Sequence, residues 1–150
     1  MIIDTLPPVY PQVHLARYDK LSALKQTAAY LHEALGMDLM QARASLLASA
    51  ASDSVQLTTQ AALVHVTDPN CTTPGVVVLT LRHPIVWVAA ATPVTTLIVL
   101  RVPQLTTADE LANLRKHAAA VVKQAQQAGD LTQWQDDAVG LALLAADIIA

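Results

Sequence analysis

Hydrophobic positions in the first third of the chain recur every three or four residues, which is the period of a helix with one buried face. This pattern spans Lys20–Leu35, and Gly36 follows it as a residue that commonly ends a helix. A second helix is predicted over about Asp38–Ala50, because an aspartate followed by a glutamine three residues later resembles a capping box. Residues 1–12 contain three prolines and are predicted to form an irregular arm, followed by a short strand at Val13–Leu15.

The middle of the chain changes to continuous apolar runs that are rich in β-branched residues. Such runs, separated by prolines, are typical of strands that are buried on both faces. The predicted strands are Ala61–Val66, Val76–Leu81, Ile85–Val88 and Thr96–Val102. The polar segment 53–60 before the first of them is predicted to be a loop.

The helical period returns after Pro103. Thr107 and Glu110 have the residue types of a capping box and predict the start of a helix. Its apolar stripe consists of Leu111, Leu114, Ala118, Val121 and Ala125. A last helix is predicted to begin at Asp130. The order β-α-α-β-β-β-β-α-α predicts a single α/β domain over residues 1–150, with a mixed β-sheet flanked by helices on both sides.

Composition narrows the class of protein. The chain has 150 residues, of which 53% are hydrophobic and 14% charged, so disorder throughout is excluded. Nine scattered Lys and Arg residues and 3% aromatics do not predict a nucleic-acid surface. A single cysteine, Cys71, fits a reducing compartment. The N-terminus lacks signal-peptide features, and no apolar run approaches the roughly 20 residues that span a bilayer. We therefore expect a cytoplasmic protein without direct membrane insertion.

Candidate chemistry centres on His65, which ends the apolar run that starts at Ala61. A neutral imidazole is a competent nucleophile near pH 7. A partly buried histidine bonded to a backbone carbonyl is the simpler interpretation of its position alone. The chain has no glycine-rich phosphate loop and no hydrolase motif. His65, Cys71, His83 and His117 have no recognised metal-ligand spacing, so neither a metal site nor a cofactor is expected.

Three segments then occur in a characteristic order. Ala61–His65 reads A-A-L-V-H, where a known family has G-I-A-I-P-H. Val78–Pro84 resembles that family's strand ending in L-x-x-P, and Pro93–Val94 with Pro103 resembles its P-V-x-strand-x-P. Over about Val13–Lys123, the chain thus resembles the enzyme IIA domain of the mannitol/fructose type (type 2) of the bacterial sugar phosphotransferase system.

This resemblance implies a phosphohistidine relay. In the family, the phosphocarrier HPr phosphorylates the IIA histidine, which passes the phosphoryl group to a IIB domain of a sugar permease. Carried onto this chain, the phospho-acceptor is His65. Hydroxyl groups nearby in the sequence are candidates to bind the phosphate oxygens, namely Ser54, Thr58, Thr59 and Thr67. The site is expected to be shallow and exposed, because another protein must reach it.

The chain also departs from the family pattern. The loop 53–60 has no glycine, Val64 replaces a proline, Ser49 falls where the family has an arginine, and Glu110 falls near a second histidine. Such losses weaken a phosphate site, and a carboxylate close to phosphohistidine repels it. They favour a second hypothesis, a degenerate IIA-like regulatory or partner-binding domain without phosphotransfer. A third is an unrelated small α/β domain.

Glu110 has two interpretations. Its carboxylate can orient the imidazole of His65 by accepting the ring N–H. Alternatively, it is the third helical residue of the capping box with Thr107, which is the simpler structural role.

Overall fold

The computed structural model describes residues 7–53, 55–57, 60–89, 91–129 and 137–149, without the side chains of residues 52, 53 and 55. Five strands and four helices lie in these ranges. The strands are β1 (Val9–Val13), β2 (Val55–Gln56), β3 (Ala61–Asp68), β4 (Gly75–Ile85) and β5 (Val94–Pro103). The helices are α1 (Lys20–Leu35), α2 (Leu39–Asp53), α3 (Ala108–Gln127) and α4 (Ala138–Ile149).

The strands form one mixed sheet in the order β1-β4-β5-β3-β2. β1 runs parallel to β4, and β3 runs parallel to β5. The pairs β4–β5 and β2–β3 are antiparallel. The α/β fold class with a mixed sheet, predicted from the change in hydrophobic period, is confirmed.

Helices cover both faces of the sheet, as predicted. Alternate residues of β3 enter two different cores, since successive side chains of a strand point to opposite faces. Val64 and Val66 pack with α1 and α2, whereas Ala61 and Leu63 pack with α3 and α4. The inner strands therefore have both faces buried, which accounts for their continuous apolar runs.

The helix ends follow local rules. The Asp19 carboxylate accepts a hydrogen bond from the Ser22 N–H at 2.8 Å and caps the start of α1. Gly36 ends α1 with φ = 70°, and its N–H donates to the carbonyl oxygens of His32 and Leu31. The predicted bounds of α1 are confirmed. Within the described ranges, no helix is both long enough and apolar enough to cross a bilayer.

Several predicted strand boundaries were wrong. The predicted strand Val13–Leu15 begins earlier and ends at Val13: residues 9–12, placed in the irregular arm, form β1 with it, because Pro11 is tolerated in an edge strand with one neighbour. Of the predicted strand Ile85–Val88, only Ile85 is in a strand, and it belongs to β4 together with Val76–Leu81. The pairing of β4 with β5 shifts register between Thr80 and Ile85. Such an irregularity removes the need for the missing proline N–H. β2 lies within the predicted loop 53–60.

Candidate functional site

The outer edge of β3 is where the candidate site lies. Among the described residues, Val55 and Gln56 of β2 pair with Leu63 and Ala62 of β3. Beyond that point, helix α2 takes the place of a neighbouring strand. An edge strand has backbone N–H groups that need partners, so the side chains of α2 at this edge decide how β3 is held.

Two serines of α2 accept hydrogen bonds from backbone N–H groups at this edge. The hydroxyl oxygen of Ser49 accepts a hydrogen bond from the His65 N–H at 3.0 Å, and that of Ser45 accepts from the Thr67 N–H at 2.9 Å. The spacing fits, because one helix turn rises about 5.4 Å and two strand residues about 6.7 Å. Ser49 is only 3% exposed, so this contact is shielded from water.

His65 lies inside β3 and does not end it, which corrects the prediction. Parallel pairing with β5 continues past His65 to Asp68, opposite Pro103. Strand alternation directs the imidazole toward the face that carries α3 and α4. The residue is half-buried. The site was expected to be shallow and exposed, and its histidine is partly enclosed.

The imidazole of His65 contacts two polar groups at the same ring nitrogen. Nη2 of Arg115, on α3, donates to His65 Nδ1 at 2.8 Å. The Ser49 hydroxyl lies 3.0 Å from the same atom. Because a guanidinium can only donate, Nδ1 accepts through its lone pair, and the ring proton of the neutral imidazole resides on Nε2. A cation and a hydroxyl thus meet at a neutral histidine.

Arg115 was not among the candidate site residues that the sequence predicted. A signal was present. Arg115, Ala118 and Val122 follow the spacing i, i+3, i+7, and the last two are fully buried against the sheet. An arginine in an apolar stripe, where a hydrophobic residue is expected, marks a position with a polar partner.

Ser49 replaces the arginine expected from the family resemblance, and the structure shows what it does there. It bonds to both the backbone and the ring of His65. The positive charge comes instead from α3, across the imidazole. The predicted loss of an arginine from α2 is thus accompanied by an arginine from a different element.

The Glu110 carboxylate is engaged at the start of α3. Its Oε1 accepts hydrogen bonds from the Thr107 hydroxyl at 3.0 Å and from the Thr107 N–H at 3.4 Å. The Thr107 hydroxyl in turn accepts from the Glu110 N–H at 3.1 Å, which completes the capping box. Five residues separate Glu110 from Arg115, about 140° around the helix. The structure therefore pairs Glu110 with the helix start instead of with His65.

The hydroxyl candidates fall into two groups. Thr67 is two residues beyond His65 on β3, so its side chain is on the same face of the sheet, and it is half-buried. Ser54, Thr58 and Thr59 lie outside the described residues. Their assignment to phosphate binding stays a prediction.

Arg101 forms a buried ion pair at the far end of β3. Its Nε and Nη2 lie 2.7 Å and 2.6 Å from Oδ2 of Asp68, which is 2% exposed. Asp68 Oδ1 also accepts from the Asn70 N–H at 2.9 Å. Arg101 therefore neutralises a buried carboxylate.

The other histidines have separate environments. His83 packs edge-on against the ring of Tyr18, and Nε2 of His117 lies 3.1 Å from the carbonyl oxygen of Asp147. Over the part of the chain that the structure describes, no group of three or more His, Cys, Asp and Glu side chains could hold a metal ion.

Comparison with known proteins gives a likeness in structure alone. No family model matches the sequence, and no curated protein matches it significantly. The structure is similar to that of the nitrogen regulatory protein IIA-Ntr from Neisseria meningitidis, with a TM-score of 0.74. The chain has the fold of IIA-Ntr. The likeness covers 95% of this chain and 97% of that chain at 15% sequence identity. It is a match of the whole layered architecture.

Proposed function

We propose that this protein is a phosphocarrier of a phosphotransferase system, with His65 as its phospho-acceptor. One observation carries the proposal: on the fold of IIA-Ntr, a half-buried neutral histidine at the sheet edge beside α2 is contacted at one ring nitrogen by both a guanidinium and a hydroxyl. Phosphoryl transfer depends mainly on positioning and on donors around the phosphate oxygens, and this edge supplies both.

The proposed step is a transfer between two imidazoles. A lone pair on the ring of His65 attacks the phosphorus of a phosphohistidine in the donor protein. A new N–P bond forms at His65, the donor's N–P bond breaks, and its electron pair returns to the donor ring. The proton on the second nitrogen of His65 remains there. The product is a phospho-imidazolium, so no external base, metal or cofactor is required.

Hydroxyl groups complete the proposed phosphate site. Thr67 shares the face of His65, and the Ser49 hydroxyl adjoins the ring. Ser54, Thr58 and Thr59 are proposed as further donors from the segment before β3. Each hydrogen bond to a charged phosphoryl oxygen contributes about 1.5–3 kcal/mol.

The proposed partners follow from the relay. Phospho-HPr is the donor, and a IIB domain of a sugar permease is the recipient. Both dock in turn at the edge between α2 and α3, where His65 is reachable. The protein is proposed to act in the cytoplasm, as a single domain over residues 1–150, without binding nucleic acid.

A partner-binding role is the second candidate, and the structural neighbour favours it. That neighbour is a nitrogen regulatory protein, so this fold also serves regulation. In that case phosphorylation of His65, or its loss, changes which protein binds at the α2–α3 edge, and a sugar permease is not the recipient.

Incubation with phosphoenolpyruvate, enzyme I and HPr, followed by intact mass spectrometry, tests the acceptor role. The wild type is expected to gain one phosphoryl group, which is lost in acid. His65→Ala should abolish the gain, and the matched control His83→Ala should retain it. Label that persists in His65→Ala, or no label with active HPr in excess, contradicts the carrier function. Adding a IIB domain then separates the two candidates, because only a transport carrier passes the group on.

A further inference from the structure

Arg115 is placed where a change in the chemical state of His65 must affect it. Its Nη2 donates to the lone pair on Nδ1 at 2.8 Å, and the two residues are 50 positions apart in the sequence. Arg115 is half-buried on α3, and its guanidinium contacts the ring of a residue in β3. The chain has placed this cation on the sheet-facing side of α3 although a hydrophobic residue would extend the stripe there.

Phosphorylation removes the acceptor that Arg115 uses. If the phosphoryl group bonds to Nδ1, the lone pair that Arg115 contacts is consumed. If it bonds to Nε2, the ring proton must move to Nδ1, and the Ser49 oxygen at 3.0 Å can accept it. In both products Nδ1 has no lone pair to offer. The hydrogen bond from Nη2 of Arg115 to Nδ1 is then lost.

Phosphoryl oxygens are the acceptors that best match a guanidinium. They carry negative charge, and the planar fork of N–H groups binds phosphate with two parallel hydrogen bonds. An N–P bond on either ring nitrogen brings these oxygens within a few ångströms of the ring. Arg115 can therefore exchange a ring nitrogen for phosphoryl oxygens through rotation of its side chain, without movement of α3.

We propose that Arg115 on α3 binds the phosphoryl group carried by His65, and that it moves from the ring nitrogen to the phosphoryl oxygens when the group is transferred. This inference rests on the proposed acceptor role of His65 and assigns a catalytic residue to it. On the α2 side of the ring, Ser49 supplies a hydroxyl group. The positive charge that faces the phosphoryl group is supplied by Arg115 of α3.

Phosphorylation by phosphoramidate tests this without a partner protein. This small donor transfers a phosphoryl group to histidine and releases ammonia. The rate of His65 phosphorylation is measured by intact mass for the wild type and for Arg115→Gln, which keeps most of the stem and removes the charge. We expect a loss of about 10- to 100-fold, the range typical of one hydrogen bond to a charged group. Arg115→Lys should recover part of the lost rate.

Lys116→Gln is the matched control. It removes the same charge from the next residue of α3, which is exposed, and it should phosphorylate at the wild-type rate. If Arg115→Gln and the wild type react equally fast at His65, the inference is overturned and the acceptor role stands. If the wild type is not phosphorylated at His65 by phosphoramidate or by phospho-HPr, both are overturned.

A measurement on the unchanged protein covers the case in which Arg115→Gln fails to fold. Arginine side-chain N–H signals are recorded by NMR before and after phosphorylation. The Arg115 signal should shift strongly, whereas that of Arg101, held by Asp68, should stay in place. An unmoved Arg115 signal in phosphorylated protein contradicts the inference. A shift that also occurs in His65→Ala treated in the same way contradicts it as well.

Discussion

Ser49 and His65 are joined twice through one hydroxyl oxygen, which accepts the backbone N–H of His65 at 3.0 Å and lies 3.0 Å from its ring Nδ1. A single side chain of α2 therefore sets both the position of strand β3 at this residue and the orientation of the imidazole. Stability and chemistry are coupled at this point of the fold.

Removing the Ser49 hydroxyl separates these two effects. Ser49→Ala leaves a shielded backbone N–H without its acceptor, at a cost of about 1–3 kcal/mol in the free energy of unfolding. It should also slow phosphorylation of His65, because the ring loses an orienting contact. Urea denaturation and phosphoramidate kinetics measure the two quantities. Ser45→Ala is the matched control, since Ser45 accepts only from Thr67. It should lower stability and slow phosphorylation less than Ser49→Ala does, and equal kinetic losses in both variants would argue against a role of Ser49 in orientation.

Glu110 and Thr107 should affect stability and not phosphorylation. Thr107→Ala removes the N-cap of α3 and should lower the free energy of unfolding by about 1 kcal/mol. Glu110→His, which restores the residue type of the family, should leave the phosphorylation rate within twofold of the wild type, because position 110 faces the helix start. A clear gain in rate for Glu110→His would show that this side chain reaches His65 after all.

The Asp68–Arg101 pair should respond asymmetrically to mutation. Arg101→Met leaves a carboxylate that is 2% exposed without its counter-charge, and we expect a loss of about 3–5 kcal/mol. Asp68→Asn leaves a guanidinium with access to solvent, since 22% of the Arg101 side chain is exposed, and the loss should be smaller. Equilibrium unfolding of the two variants measures the difference. Equal losses of stability in the two variants would mean that hydration does not stabilise the unpaired guanidinium of Arg101.

Replacing Gly36 and replacing Gly75 by alanine should have opposite effects on stability. Gly36 has φ = 70°, and Gly36→Ala should destabilise the protein by about 1–2 kcal/mol because an L-residue is strained there. At Gly75, an added Cβ meets no atom within 4 Å, and its φ is not in the left-handed region. Gly75→Ala should therefore be neutral or slightly stabilising. Thermal unfolding compares the variants, and a large loss for Gly75→Ala would contradict the open space seen beside it.

Cys71 should react slowly with alkylating reagents at neutral pH. Burial raises the pKa of its thiol, and the negative charge of Asp68 adds to this, while Arg101 acts in the opposite direction. A raised pKa means a smaller thiolate fraction at any given pH, and the thiolate is the reactive form. The alkylation rate should therefore increase at a higher pH than for an unhindered peptide cysteine under the same conditions. Coincident pH profiles would contradict the expected effect of burial.

Local patterns in the sequence were sufficient for much of the fold. The bounds of α1 follow from its apolar spacing and from Gly36, because helix ends depend on hydrogen bonds among neighbouring residues. Burial on both faces of β3 and β5 follows from their continuous apolar runs. Pro11 and Pro84 predicted breaks between strands, and the strand boundaries predicted from them were wrong. Whether a proline N–H would be missed depends on the neighbouring strand, which only the assembled sheet defines.

In the candidate site, too, some features follow from the local sequence and others only from the tertiary structure. The sequence by itself determined that His65 belongs to an apolar strand and that Thr107 and Glu110 form a capping box, since each depends on residues within a few positions. Only the tertiary structure decided that Ser49 and Arg115 meet at the ring of His65. They come from helices on either side of the β3 edge, 16 and 50 residues away. Contacts at such separations follow from how helices pack on a sheet, and no local pattern encodes them.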